Sequence, residues 1–375
     1  MQIHALHFSI FTGQKMKRPL LLSFYIFLLL GNCCKAQGVD NFQLGFRYHY
    51  GFVLVHTPSL QQFTRAHFPL YEFTLTKLTH GAKDWQRAYH NPDLGLSVFT
   101  TDFGKNELLG RGYALFPNIT FHYIRKKWMH ANFRFGAGVG YIEKPFHRLT
   151  NYKNNAIGSH FNSTISILLE TKFKLNPHTN LGIGLALNHF SNGSTKTPNL
   201  GINIATANLA LAYTFAQKPV GTIDSSNRFK KHFEYFAVLC GGYKEIAPPG
   251  GIKYAVVNAS LNIARVHSLR GKWGVGVDMM HDASINEQNK RDSSSTNSLS
   301  VTQAGVTLGW EVIFGKISFP LQAGVYLYSN YKGNGVVYNR YGVRYHFHKN
   351  VFCNFSIKTH YAKADYFEWG LGYTL

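Results

Sequence analysis

The chain has 375 residues, with 39 Lys and Arg against 18 Asp and Glu for a formal net charge of +21. With 45% hydrophobic residues, 15% aromatics and 35 glycines it can bury a core or line a membrane band, yet no segment after residue 40 approaches the roughly 20 apolar residues of a spanning helix. The positive excess attracts polyanions, but no aromatic-basic motif points to nucleic acid. No H-E-x-x-H or C-x-x-C spacing and no glycine loop after a strand is present, so neither a metal nor a nucleotide cofactor is expected, with calcium at the outer loops left open.

In chain order, Met16-Lys17-Arg18 precedes the apolar run Pro19 to Leu30, and Cys34-Lys35-Ala36 ends in a small residue before Gln37. That is the order of a secretory signal, expected over 1–36 with cleavage after Ala36, and Met16 is as good a start as Met1. Gly31-Asn32 is a poor lead-in for lipidation at Cys33 or Cys34. Export removes nucleic acid from the expected partners and leaves the phosphate-bearing surface of lipopolysaccharide as the polyanion.

The first half, 37–215, reads as eight strands: 42–55, 67–78, 93–102, 109–125, 130–142, 157–174, 180–190 and 203–215. Alternation is clean in the fifth, where Ala131, Phe133, Phe135, Ala137, Val139 and Tyr141 oppose His130, Asn132, Arg134, Gly136, Gly138 and Gly140. A period of two means a strand with one apolar face, and a small or polar opposite face fits a barrel lumen. With the mature N-terminus periplasmic, the short connections 126–129 and 176–178 fall on the periplasmic side, and loops 143–156 and 191–202 face outward. The connection 79–92 is too long for a periplasmic turn and suggests a short helix or a cap.

A Pro-, Gly- and Ser-containing stretch at 216–231 reads as a linker. Beyond it, 232–375 supplies eight more strands: 232–244, 252–267, 272–281, 299–314, 317–328, 335–347, 351–361 and 365–375. The halves resemble one another, as in Phe133 to Tyr141 against Phe319 to Leu327, and Tyr213-Thr214-Phe215 against Tyr373-Thr374-Leu375. Duplication of an eight-strand unit follows. The expected fold is all-β, a transmembrane antiparallel barrel of 16 strands, the alternative being two tandem 8-strand barrels; a single closed barrel leaves no edge unpaired in lipid. Cys240 and Cys353 are expected as free thiols.

The chemistry concentrates between Asn180 and Phe215. Leu181, Ile183, Leu185, Leu187, His189 and Ser191 share one face of a strand, with Gly182, Gly184, Ala186, Asn188 and Phe190 on the other. On the return strand Asn203 faces the way His189 does, so serine, imidazole and carboxamide can meet where the two strands flank their loop. An isolated His-x-Ser is more often a pair of interfacial polar residues than a nucleophile and its base.

His189-Phe190-Ser191-Asn192, followed by Lys196-x-Pro198-Asn199-x-Gly201-Ile202, resembles the signature of the outer-membrane lipid A 3-O-deacylases (PagL type, the acyloxyacyl hydrolase family). The resemblance implies a barrel enzyme in which His189 is the base, Ser191 the nucleophile and Asn199 an oxyanion-hole donor. The family's acidic triad member should stand directly after Gly-Ile, and here that position is Asn203, which can orient an imidazole but carries no charge to stabilise its cation. Glu170, on the neighbouring strand, lies toward the periplasmic end and is expected to be out of reach. His360 is expected to face the lumen in a polar cluster with Asp365 and Glu368. The expected protein is an exported outer-membrane lipid esterase acting on lipid A at the outer leaflet, without a cofactor; the alternative is a non-catalytic porin or structural barrel.

Overall fold

Strands that alternate an apolar with a small or polar residue can close on themselves, with the apolar column outside and the other inside. A computed structural model describes residues 41–63, 67–104, 107–215, 229–293, 298–361 and 363–375, of which Asn41–Leu375 form one compact unit. The expected signal at 1–36, the choice between Met1 and Met16, and most of the linker lie outside the described residues.

Sixteen strands appear in chain order: β1 (Phe42–Val53), β2 (His67–Lys77), β3 (Asp93–Thr101), β4 (Gly112–Arg125), β5 (Met129–Ile142), β6 (Phe161–Lys174), β7 (Thr179–Ser191), β8 (Ile202–Thr214), β9 (His232–Glu245), β10 (Lys253–Ser268), β11 (Gly271–Asp282), β12 (Thr302–Phe314), β13 (Ile317–Tyr328), β14 (Val337–His346), β15 (Val351–His360) and β16 (Lys363–Thr374). Boundaries drift where an apolar column runs on into a loop that is itself packed. Leu109 and Ile157, both fully buried, belong to the connections before β4 and β6 rather than to the strands.

The expected single barrel of 16 strands is not formed. β8 pairs with β1, from Gln43 opposite Thr214 to Val53 opposite Ile204, and β9 pairs with β16. The result is two closed antiparallel barrels of eight strands each. The reason lies in the inward columns: eight strands enclose a space just wide enough for side chains, so each large inward residue needs a small one across from it. A Cβ at Gly136 would lie 2.5 Å from the Phe116 ring, and one at Gly372 would lie 2.1 Å from the Phe352 ring.

Both lumens are filled. In the first, Arg134 donates to both carboxylate oxygens of Glu72, which also meets His49 Nε2 at 3.2 Å and accepts from Ser97 Oγ at 3.0 Å, while Arg47 pairs with Glu170. In the second, Arg340 bonds Asp278 at 2.7 Å and meets Glu368 at 2.6 Å, and Lys244 bridges Asp282 and Asp365 at 2.6 Å each. Buried charges are tolerable only when paired in this way. Outside, residues such as Leu96, Val98, Leu115, Leu185, Leu209, Leu239, Leu261 and Val277 are exposed, the apolar wall a lipid-facing barrel presents. Cys240 is buried, Cys353 is exposed, and both are free.

The long connection between β2 and β3 does contain a short helix, Asp84–Ala88. It is long because it reaches the other barrel. Phe314 of β12 packs on Trp85 (ring centroids 6.1 Å) and on Tyr89 (4.5 Å), and the Tyr89 hydroxyl donates to the Arg270 carbonyl at 2.7 Å. Burial pushes that phenol up to about 12, so it stays a donor. Phe135 and Phe319 continue the contact at 6.3 Å.

Candidate active site

The four connections at the opposite end of the first barrel form a packed cap. Leu60, Phe63, Phe103, Leu109, Ala156 and Ile157 lie on Phe68, Phe99, Phe116 and Phe190 from the strands, all essentially inaccessible to water. The connection 143–160 is pinned by two carboxamides: Asn151 Nδ2 donates to the carbonyls of Leu108, Lys144 and Pro145, and Asn154 Oδ1 accepts from the amides of Ala156 and Ile157. This loop backs the one that follows β7, through a bridge between Ile157 and Asn199 and the bond from Gly201 N to Ala156 O at 3.1 Å.

β7 keeps the alternation expected of it, with Asn188 and Phe190 buried in the lumen and Ile183, Leu185 and Leu187 outside. His189 and Ser191 therefore share the outer face, and His189 sits opposite Asn203 of β8. The imidazole and the carboxamide meet, His189 Nδ1 to Asn203 Oδ1, at 2.6 Å. Glu170 is paired with Arg47 in the lumen, five rungs down β6 from Ile165, the residue opposite His189.

A third residue completes the row. Asn203 Nδ2 lies 3.0 Å from His56 Nδ1, and His56 Nε2 lies 3.0 Å from the Leu200 carbonyl. A carbonyl only accepts, so Nε2 of His56 carries the proton and Nδ1 accepts from Asn203. That turns the carboxamide so that its oxygen faces His189, whose Nδ1 then carries the proton. Nε2 of His189 is left with its lone pair, the state of a general base. His56 was missed at the sequence level: it stands 147 residues from Asn203, in the connection after β1, and reaches it only because β8 closes onto β1.

Ser191 is 9% exposed, and its backbone carbonyl accepts from Ser163 Oγ on β6 at 3.1 Å. Among the described residues its Oγ has no hydrogen-bond partner, His189 included. Asn199 Oδ1 accepts from the Asn192 amide at 2.9 Å, which fixes its orientation and leaves Nδ2 as a donor with no partner among the described residues. Asn192 holds the loop further through Nδ2, which donates to Ser159 Oγ and to the Lys196 carbonyl at 2.8 Å each. Gly201 closes the site with φ +78°, and a Cβ there would lie 2.8 Å from His189 Cε1. Only glycine gives both the left-handed turn and room for the ring.

His360, at the corresponding end of the second barrel, faces the lumen as expected. Its Nδ1 lies 3.6 Å from Asp365 and its Nε2 3.0 Å from the Tyr326 hydroxyl. Glu368 is not part of that cluster, being held by Arg340 and Ser356. Among the described residues no group of His, Cys, Asp and Glu is placed to hold a metal ion.

Comparison with known proteins gives two family matches. The profile described as lipid A 3-O-deacylase (PagL) matches residues 71–212, and that of the acyloxyacyl hydrolase C-terminal domain matches residues 233–375. No functionally curated protein matches. Among solved structures, Neisserial surface protein A (NspA) is 9% identical with a TM-score of 0.34, over 48% of this chain and 100% of its own. A triple mutant of the Rhodopseudomonas blastica porin is 12% identical with a TM-score of 0.18, over 89% of this chain and 99% of its own. At those scores neither bears on the function. The two family matches take one barrel each, and with them the chain belongs to the lipid A 3-O-deacylase (PagL) family of ester hydrolases.

Proposed function

We propose that the protein is an outer-membrane lipid esterase that removes an acyl chain from lipid A at the outer leaflet, with Ser191 as nucleophile and His189 as base. The observation that carries this is the bond from His189 Nδ1 to Asn203 Oδ1, on the same face as Ser191, with His56 fixing the carboxamide behind it.

In this reading, Nε2 of His189 takes the proton of Ser191 as Oγ attacks the ester carbonyl. The two Cα atoms are about 7 Å apart along the strand, a span that an imidazole and a hydroxymethyl group close by rotation; such bonds tighten when substrate binds. Asn199 Nδ2 donates to the oxyanion. His189 then returns its proton to the leaving alcohol, and water, deprotonated by the same nitrogen, releases the acyl group. Asn203 orients the imidazole without carrying charge, in place of the acid that the family resemblance leads one to expect.

Placement supports the substrate class. Ser191 and His189 lie at the rim of an apolar wall, where an acyl ester meets its headgroup, and the cap beside them exposes Lys144, Arg148, Lys153 and Lys196 toward a phosphate-bearing lipid. Export by the N-terminal segment 1–36 and a cap facing the cell exterior complete the reading. The porin alternative fits less well, because both lumens are packed with side chains. The test is mass spectrometry of lipid A from cells expressing the wild type or Ser191→Ala. Loss of a hydroxyacyl chain with the wild type alone supports the reading, and identical lipid A from both, with folded protein in the outer membrane, overturns it.

A further inference from the structure

We infer that the second barrel is a positioning element for the nucleophile loop of the first, and that Glu245 is the residue through which it acts. The inference rests on the proposal that Ser191, His189 and Asn199 form the reaction centre.

The loop 192–201 has two sides. Gly201 lies against the His189 ring and Asn199 is tied to the Asn192 amide, whereas Gly193, Ser194 and Thr197 lie against the second barrel. Glu245, the last residue of β9, is 3% exposed, and one oxygen of its carboxylate gathers three donors. Two come from the loop of the other barrel, Thr197 N at 3.2 Å and Thr197 Oγ1 at 2.7 Å, and the third is Gly250 N of its own barrel at 2.9 Å. The backbone joins in: Glu245 N donates to the Ser194 carbonyl at 2.9 Å, and Ser194 Oγ donates to the Ala364 carbonyl of β16 at 3.0 Å. A Cβ at Gly193 would lie 2.3 Å from the Phe367 ring, so only glycine lets the loop lie this close.

Thr197 is two residues from Asn199, and Asn199 is tied back to Asn192, the residue after Ser191. A loop held at 193–197 therefore fixes where the Asn199 amide points. Free of the second barrel, the loop keeps its ties within the first, namely the bonds of Asn192, the bridge from Asn199 to Ile157, the bond from Gly201 N to Ala156 O and that from His56 Nε2 to the Leu200 carbonyl, but Ser194 and Thr197 lose the bonds that hold them to Ala364 and Glu245. This gives the second barrel a purpose that its own lumen does not suggest. The position two after His360, where Ser191 stands after His189, is alanine in the sequence, and the buried charges of the second lumen pair with one another.

The experiment uses the full chain in detergent, with Glu245→Ala, Glu245→Gln and, in parallel, Ser191→Ala. Three quantities are read: kcat and KM for acyl release from lipid A micelles, and the rate of covalent labelling by a serine-directed fluorophosphonate. Glu245→Ala is expected to lower kcat and the labelling rate about 10- to 100-fold, the scale of a misplaced catalytic group, with KM unchanged and both barrels folded. Glu245→Gln keeps the accepting oxygen and is expected to recover most of both. A folded Glu245→Ala protein that labels and turns over at the wild-type rate overturns the inference, as does one that merely unfolds more easily. Should Glu245→Ala not fold, Thr197→Val, which removes only the hydroxyl donor, is read against the same outcomes. A Ser191→Ala protein that is still active removes the underlying mechanism whatever Glu245 does.

Discussion

Aspartate at position 203 would return a charge to the place where the family's acid is expected, and the structure says what that charge should do. His189 Nδ1 already lies 2.6 Å from the carboxamide oxygen, so Asn203→Asp needs no movement to face the ring. Unit charges about 4 Å apart attract by about 4 kcal/mol at an effective dielectric near 20. Both residues are only partly buried, and screening at such a rim leaves about 1–2 kcal/mol for the imidazolium formed in the transition state. That corresponds to a rise in kcat of about 5- to 30-fold. Part of it is lost to His56, whose Nδ1 accepts from Asn203 now and would face a carboxylate then; Asn203→Asp combined with His56→Ala removes that conflict. Asn203→Ala works in the other direction. It deletes the neutral hydrogen bond to His189, worth about 1 kcal/mol, and the orientation that goes with it, along with the bond to His56, for a loss of about 10-fold or more. Initial rates of hydroxy-acid release from lipid A by purified protein read all three. An Asn203→Ala enzyme as fast as the wild type, or a folded Asn203→Asp/His56→Ala enzyme slower than it, refutes the orienting role of Asn203.

His56→Ala should lower kcat several-fold with little change in KM, less than Asn203→Ala, because the carboxamide keeps its bond to His189 but loses the partner that fixes its orientation; the ratio of the two rates checks this. Gly201→Ala should abolish activity while leaving the barrel folded, since a left-handed backbone costs an alanine about 1–2 kcal/mol and the new methyl meets His189; heat-modified mobility on gels separates activity from folding. Glu72→Leu should destabilise the first barrel by about 3–5 kcal/mol through the unpaired Arg134, and Glu72→Leu/Arg134→Met should recover much of that, as read by urea unfolding in detergent. In planar bilayers the purified protein should show no steady ohmic conductance, because both lumens are packed; a stable open channel would revive the porin alternative.

Strand positions were legible because alternation is local: each residue's face is decided by its neighbours two places away, and all sixteen strands of the sequence reading appear, with their ends moved by a few residues. The pair His189 and Ser191 was legible for the same reason, being two residues apart on one strand, and so was Asn203 across a short loop. The choice between one barrel and two was not, because it depends on whether β8 pairs with β1 or with β9, and both present the same backbone edge. The inward glycines opposite Phe116 and Phe352 carried that information, but only as a demand for a narrow lumen that appears once the opposing strands are placed. His56 and Glu245 were silent in the sequence. They stand 147 residues from Asn203 and 48 from Thr197, and hydrogen bonds at such separations exist only after the first barrel has closed and the second has packed beside it.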